Sequence, residues 1–169
     1  TCHRAYYETG LSALLNANTP AGCLVGKSWD FHVDIALGIS NKENIENISE
    51  SAKHFIKAKK EFMFDAEHFF DGYKANSEYA IECIKAAYDQ GARWVVLCDT
   101  NGGTLPHEVS QIVDEVSKII PGKNLGIHAH NDPGNAVANS LAAVLSVVRQ
   151  IPGPLTGPVS SPHLLAHST

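Results

Sequence analysis

The sequence has no apolar run near the ~20 residues that a membrane-spanning helix needs. Its opening stretch also lacks the charged-then-apolar pattern of a signal peptide, so the expectation is a cytoplasmic chain without a membrane partner. Basic residues are scarce. Thirteen Lys and Arg stand against 18 Asp and Glu, for a net charge of −5. A phosphate-backbone binder would show a basic face, so no nucleic-acid partner is expected. Cys2, Cys23, Cys83 and Cys98 are scattered and never form a CxxC. That pattern predicts reduced, buried thiols and excludes a disulfide framework or a zinc knuckle. From Ile151 onward there is no Lys, Arg, Asp or Glu, and half of the prolines fall there. Residues 151–169 are therefore expected to be an irregular Pro/Gly/Ser-rich tail whose His163 and His167 take no part in a site.

What remains is 169 residues at 44% hydrophobic and 18% charged, enough for one domain with a real core. The stretch that organises it is Leu125-Gly126-Ile127-His128-Ala129-His130-Asn131-Asp132. On a strand, side chains two apart share a face, ~7 Å apart along the chain. His128 and His130 can then converge on one divalent cation, or they are two partly exposed histidines that alternate along the strand. Asn131 and Asp132 follow with hard oxygen donors.

Three more strands are predicted upstream: Cys23-Leu24-Val25 as a short buried strand, Phe62-Met63-Phe64, and Trp94-Val95-Val96-Leu97. Between them come helices. Leu11–Leu15 is a short helical run ended by Asn18-Thr19-Pro20. Ser40 and Glu43 fit a capping box before the stripe Ile45, Ile48, Ala52, Phe55 and Ile56. A helix from Ser77 to Asp89 carries Ile81, Ile84 and Tyr88, with Gly91 as its C-cap. Pro106 sits near the start of another, with Ile112, Val113, Val116, Ile119 and Ile120. A last helix, from Gly134 to about Val148, shows the stripe Val137, Leu141, Val144, Leu145 and Val148. Gly22 to Ser28 spells G-x-x-x-G-K-S, one residue short of a phosphate loop. Its apolar middle belongs to a strand, which excludes the nucleotide reading.

Strand and helix thus alternate four times, which implies parallel strands with crossover helices. Every strand ends in a polar set: KSWDFH, DAEHFFD, CDTNGG and HAHND. A doubly wound sheet concentrates its chemistry at one switch point, whereas a barrel gathers it from many strand ends. The barrel is favoured. A complete one needs ~250 residues, so residues 1–150 are expected to form about four βα units of a (β/α)8 TIM barrel. Such an open sheet would have two bare edges, near Leu24 and near Ile127.

CDTNGGTLP followed by LGIHAHNDPGNAVANSLAAV resembles the acyltransferases that make 2-isopropylmalate, homocitrate and citramalate. GKSWDFH and FDAEHFFDGYKAN resemble the citramalate synthase branch most closely. The resemblance implies that the four strands are the fourth to seventh of the barrel. It implies a divalent metal ion (Mg, Mn or Zn) held by His128 and His130, an essential Glu67 and a substrate-binding Thr100. Asp99, Asn131 and His32 are further candidate substrate-pocket residues. The implied reaction joins acetyl-CoA to a 2-oxo acid, pyruvate giving citramalate, in isoleucine and leucine biosynthesis by a homodimeric full-length enzyme. A 2-isopropylmalate synthase, a metal-dependent carbon–carbon lyase of the same superfamily and a non-catalytic fragment stay open beside it.

Overall fold

The computed structural model describes the fold of residues 4–152 and the side chains of residues 10–152. Most of the predicted tail therefore lies outside the described residues, as do Cys2, His163 and His167. Four strands, β1 (Ala21–Lys27), β2 (Glu61–Glu67), β3 (Trp94–Asp99) and β4 (Leu125–Ala129), form one sheet in the order β1-β2-β3-β4. Every pairing is parallel. Between and around them run α1 (Arg4–Asn16), a short α2 (Asp30–His32) that continues into a π-helical turn at Val33–Leu37, α3 (Asn41–Lys57), α4 (Phe69–Ala75), α5 (Ser77–Tyr88), α6 (Pro106–Ser117) and α7 (Ala136–Ser146). This is part of an α/β barrel. No helix among the described residues is long and apolar enough to cross a membrane.

The period-2 alternation of each strand divides the sheet into two faces. Phe62, Phe64 and Ala66 of β2, Val95 and Leu97 of β3, and Leu125 and Ile127 of β4 join one core with Ile48, Ala52 and Phe55 of α3, Cys83 and Ile84 of α5, and Val113 and Val116 of α6. Burial of these side chains is the main stabilising contribution, ~1.5–3 kcal/mol for each large one. Val96 and Cys98 point the other way and stand apart from this core although both are buried. The would-be phosphate loop is strand β1, as its apolar middle requires. Its glycines serve packing: a Cβ on Gly22 would collide with the Phe55 ring, and one on Gly26 with Phe64.

Several local expectations hold. Ser40 caps α3, its Oγ accepting from the Glu43 N–H at 3.1 Å. Pro106 opens α6, and Gly91 follows α5 in the left-handed region at φ +101°. Others are corrected. β1 is not fully buried: Cys23 is exposed and Val25 is 43% exposed, because both face away from the helices. Ile56 and Ile119 lie outside the core at the ends of their helices. The last helix is turned from its expected orientation. α7 buries Ala136, Asn139 and Ala143 and exposes Val137, Leu141 and Leu145 at 65%, 57% and 77%. The sheet edge near Ile127 is not bare either. Gln150 pairs in parallel with Gly126; the Ile127 N–H donates to the Gln150 carbonyl at 3.0 Å and the Arg149 N–H to Leu125 at 3.1 Å.

Candidate functional site

Parallel strands bring their C-terminal ends to one side, and the register fixes which side chains meet there. Lys27 lies opposite Glu67, Asp65 opposite Val96, and Cys98 opposite His128. Alternation then places Lys27, Asp65, Glu67, Cys98 and His128 on the face turned away from the helices, with His130 one step past β4.

Glu67 is held from two directions. Lys27 Nζ meets its Oε2 at 2.5 Å, with the two side chains 12% and 26% exposed. Its backbone carbonyl accepts from the Ser28 hydroxyl at 2.8 Å. Lys27 is itself fixed from behind, since Asn44 Nδ2 on α3 donates to the Lys27 carbonyl at 2.9 Å and to the Tyr79 hydroxyl at 2.8 Å. The loop after β1 is tied down by Asn76 Nδ2, which donates to Asp30 Oδ2 at 2.9 Å. It also presses close on α4: a Cβ on Gly72 would collide with the Ser28 carbonyl.

Thr100 stands beside Glu67. Its hydroxyl accepts from the His68 N–H at 2.8 Å, joining the ends of β2 and β3. His68 occupies the left-handed region at φ +55°, an uncommon state for a non-glycine residue. Its Nδ1 lies 3.1 Å from Asp71 Oδ2, which also accepts from Asn101 Nδ2 at 3.0 Å. Backbone strain anchored by this many bonds is a common feature of working sites. His32 stacks edge-on to His68 with ring centroids 4.3 Å apart and lies 4.8 Å from the Trp29 ring. Burial, then the nearby His68 and Lys27, holds the His32 imidazole below the usual histidine range, and its Nδ1 is buried without a partner.

Asp99 and Asn131 sit differently. Asp99 is fully buried on the helix-facing side, where Thr104 Oγ1 donates to its Oδ1 at 2.8 Å and Asn139 Nδ2 to its Oδ2 at 3.1 Å. Burial pushes its carboxyl above the ordinary aspartate range against those two donors. The Asp99 carbonyl accepts from both Gly102 and His130 N–H groups, at 3.1 and 3.2 Å, so one backbone oxygen secures the loops after β3 and β4. Asn131 Oδ1 accepts from the Ala136 N–H at 3.1 Å and thereby caps the start of α7.

The rings of His128 and His130 lie 5.2 Å apart, centroid to centroid. His128 Nδ1 is 3.8 Å from Asp65 Oδ2, and Asp65 Oδ1 is buried without a hydrogen-bond partner. Imidazole nitrogens beside a carboxylate with an unmet oxygen suit a divalent cation. Lys27, Asp65 and Cys98 are not marked as site residues by the sequence. Asp65 shares Glu67's face by alternation along β2, but only the β1–β2 register reveals Lys27 as the neighbour of Glu67.

Residues 10–158 match the HMGL-like family. The chain is similar to the (R)-citramalate synthase of Aquifex aeolicus, with 52% identity over 133 residues, covering 79% of this chain and 25% of that protein. It is also similar to the (R)-citramalate synthase of Geobacter sulfurreducens, with 52% identity over 136 residues, covering 80% of this chain and 26% of that protein. The chain thus spans about a quarter of the length of the curated relatives it matches. Among solved structures, the HMG-CoA lyase of Bacillus subtilis superposes with a TM-score of 0.80 at 19% identity, over 92% of this chain and 53% of that one. That likeness concerns the fold alone.

Proposed function

Because the chain belongs to the HMGL-like family, we propose that it carries part of the catalytic face of an acyltransferase that condenses acetyl-CoA with pyruvate to give citramalate. The observation that carries this reading is the convergence of Glu67, Thr100, His128 and His130 at one end of a parallel sheet, in a chain half identical to citramalate synthases. In the reaction, acetyl-CoA loses a methyl proton and its carbon bonds to the keto carbon of pyruvate. Water then cleaves the thioester and releases CoA.

Glu67 takes part in the proton transfers or positions the hydrolytic water, with Lys27 holding its carboxylate in place. Thr100, already accepting from His68, donates its hydroxyl hydrogen to the substrate carboxylate. His32 closes the same mouth through its contacts with His68 and Trp29. Asp99 and Asn131 position the loops that carry Thr100 and His130. His128 and His130 would hold the divalent ion (Mg, Mn or Zn), which when bound polarises the keto group. A cytoplasmic, homodimeric complete enzyme serving isoleucine and leucine biosynthesis belongs to this reading.

The test is an assay of the chain completed with the remaining barrel strands of a relative. Acetyl-CoA with pyruvate should release CoA faster than acetyl-CoA with 2-oxoisovalerate. The reverse preference would make this a 2-isopropylmalate synthase, and cleavage of a hydroxyacyl-CoA with no condensation would make it a lyase. Inactivity on all three would leave only the non-catalytic reading.

A further inference from the structure

Below the histidine pair, deeper in the same face of the sheet, lies a second set of donors, and it contains sulfur. Asp65 of β2, Cys98 of β3 and His128 of β4 come from three adjacent strands, with Cys98 directly opposite His128 in the register. Each offers one ligand atom, and the three atoms lie within 4.8 Å of one another. Bonds of ~2.0–2.3 Å in a tetrahedral site put ligand atoms ~3.3–3.8 Å apart. Small side-chain rotations close that gap, and His128 Nδ1 already stands 3.8 Å from Asp65 Oδ2.

A second observation points to a missing partner. Asp65 is mostly buried, and its Oδ1 has no hydrogen-bond partner. A carboxylate oxygen left in that state is costly unless something positive meets it. The Cys23 thiol faces the same carboxylate from β1, so sulfur flanks Asp65 on both sides.

We propose that Asp65, Cys98 and His128 form a thiolate-containing site for a borderline-soft divalent cation of the Zn2+ class. The inference goes beyond the catalytic reading and does not depend on it. Oxygen, nitrogen and sulfur in one set select such an ion over Mg2+, which takes oxygen ligands. Three protein ligands leave a fourth position open. Binding forms a metal–sulfur bond at Cys98 and releases its thiol proton to solvent. Because His128 belongs to both sets, occupation of this site draws its imidazole away from His130. The two sites therefore compete.

Co2+ serves as the probe, because thiolate coordination gives it an intense near-ultraviolet charge-transfer band that nitrogen and oxygen ligands do not. The full chain titrated with Co2+ should show the band. Cys98→Ser should abolish it and weaken Zn2+ binding by at least about tenfold. Asp65→Asn should weaken binding too. His130→Ala and Cys23→Ser should keep the band. No band in the unaltered chain would overturn the proposal, as would a band that survives Cys98→Ser or disappears in His130→Ala. Should Cys98→Ser fail to fold, the decision passes to the histidines: His128→Gln must lose the band and His130→Gln must retain it. Loss in both, or in neither, refutes the site. These readings are independent of turnover, so failure of the site and failure of the synthase reading are separately visible.

Discussion

Lys27 and Glu67 sit on the same rung of neighbouring parallel strands, and their charged ends meet at 2.5 Å. Both side chains are largely withdrawn from water, and among the described residues neither forms a second ion pair. The pair orients the one carboxylate that the proposed chemistry requires at this sheet end.

Replacing Lys27 with Met should therefore cost both activity and stability. We expect CoA release by the completed enzyme to fall ~10²-fold, the scale of a lost general acid–base contribution. The unfolding free energy should fall by ~1–3 kcal/mol, because the substitution leaves a largely buried carboxylate without its partner. Urea unfolding alongside the assay checks both, and unchanged turnover would remove the Lys27 contact from the mechanism.

Asn139→Ala should destabilise the fold by ~1–3 kcal/mol. Asn139 Nδ2 donates to Asp99 Oδ2 at 3.1 Å and to the Thr104 carbonyl at 2.8 Å, and both acceptors are buried with it. Its removal leaves the Asp99 carboxylate with Thr104 alone. The urea midpoint should drop with no change in slope.

His32 predicts a pH dependence of definite sign. Its folded-state value is lowered by burial first and by His68 and Lys27 next, with Glu67 and Asp71 opposing. The unfolded chain therefore binds this proton more readily than the folded one. The stability linked to His32 is present above the ordinary histidine value of 6.5 and is lost as pH falls from there through the folded-state value. Thermal unfolding at pH 7.5 and 5.5 should show a smaller difference for His32→Gln than for the unaltered chain. An identical difference would show that His32 does not titrate in this way.

Manganese binding by the histidine pair can be read by titration calorimetry. His128→Ala and His130→Ala should each weaken it about tenfold or more, because each removes one of few ligands. Equal affinity in the unaltered chain and the double variant would dissolve the assignment.

How much of this was legible in advance depends on what each feature needs. β2, β3 and β4 and helices α3, α5 and α6 follow from strong local periods with clear caps and stops. Alternation implies parallel strands, and the polar set at every strand end is what favours the sequential order of a barrel. α4 was hidden because Phe69-Phe70 directly follows a strand whose polar end reads as loop. α7 shows the limit of hydrophobic counting. Its large aliphatics suggest one buried face, yet the smaller Ala136 and Ala143, with the hydrogen-bonding Asn139, let it settle against the sheet. The site divides the same way. His128 and His130 stand out by their spacing and Glu67 and Thr100 by the family resemblance, whereas the Lys27–Glu67 contact and the Asp65–Cys98–His128 cluster exist only once strands are aligned. Asp99 shares a motif with Thr100, but one step along a strand turns it to the opposite face.

The single Asp99 carbonyl that receives both Gly102 and His130 gives the two loops one shared anchor. A displacement of that carbonyl loosens both at once. Their amide protons should exchange with solvent as a linked pair, at rates that rise and fall together when ligand or substitution perturbs either loop. A shift of Asp99 then opens both sides of the mouth together.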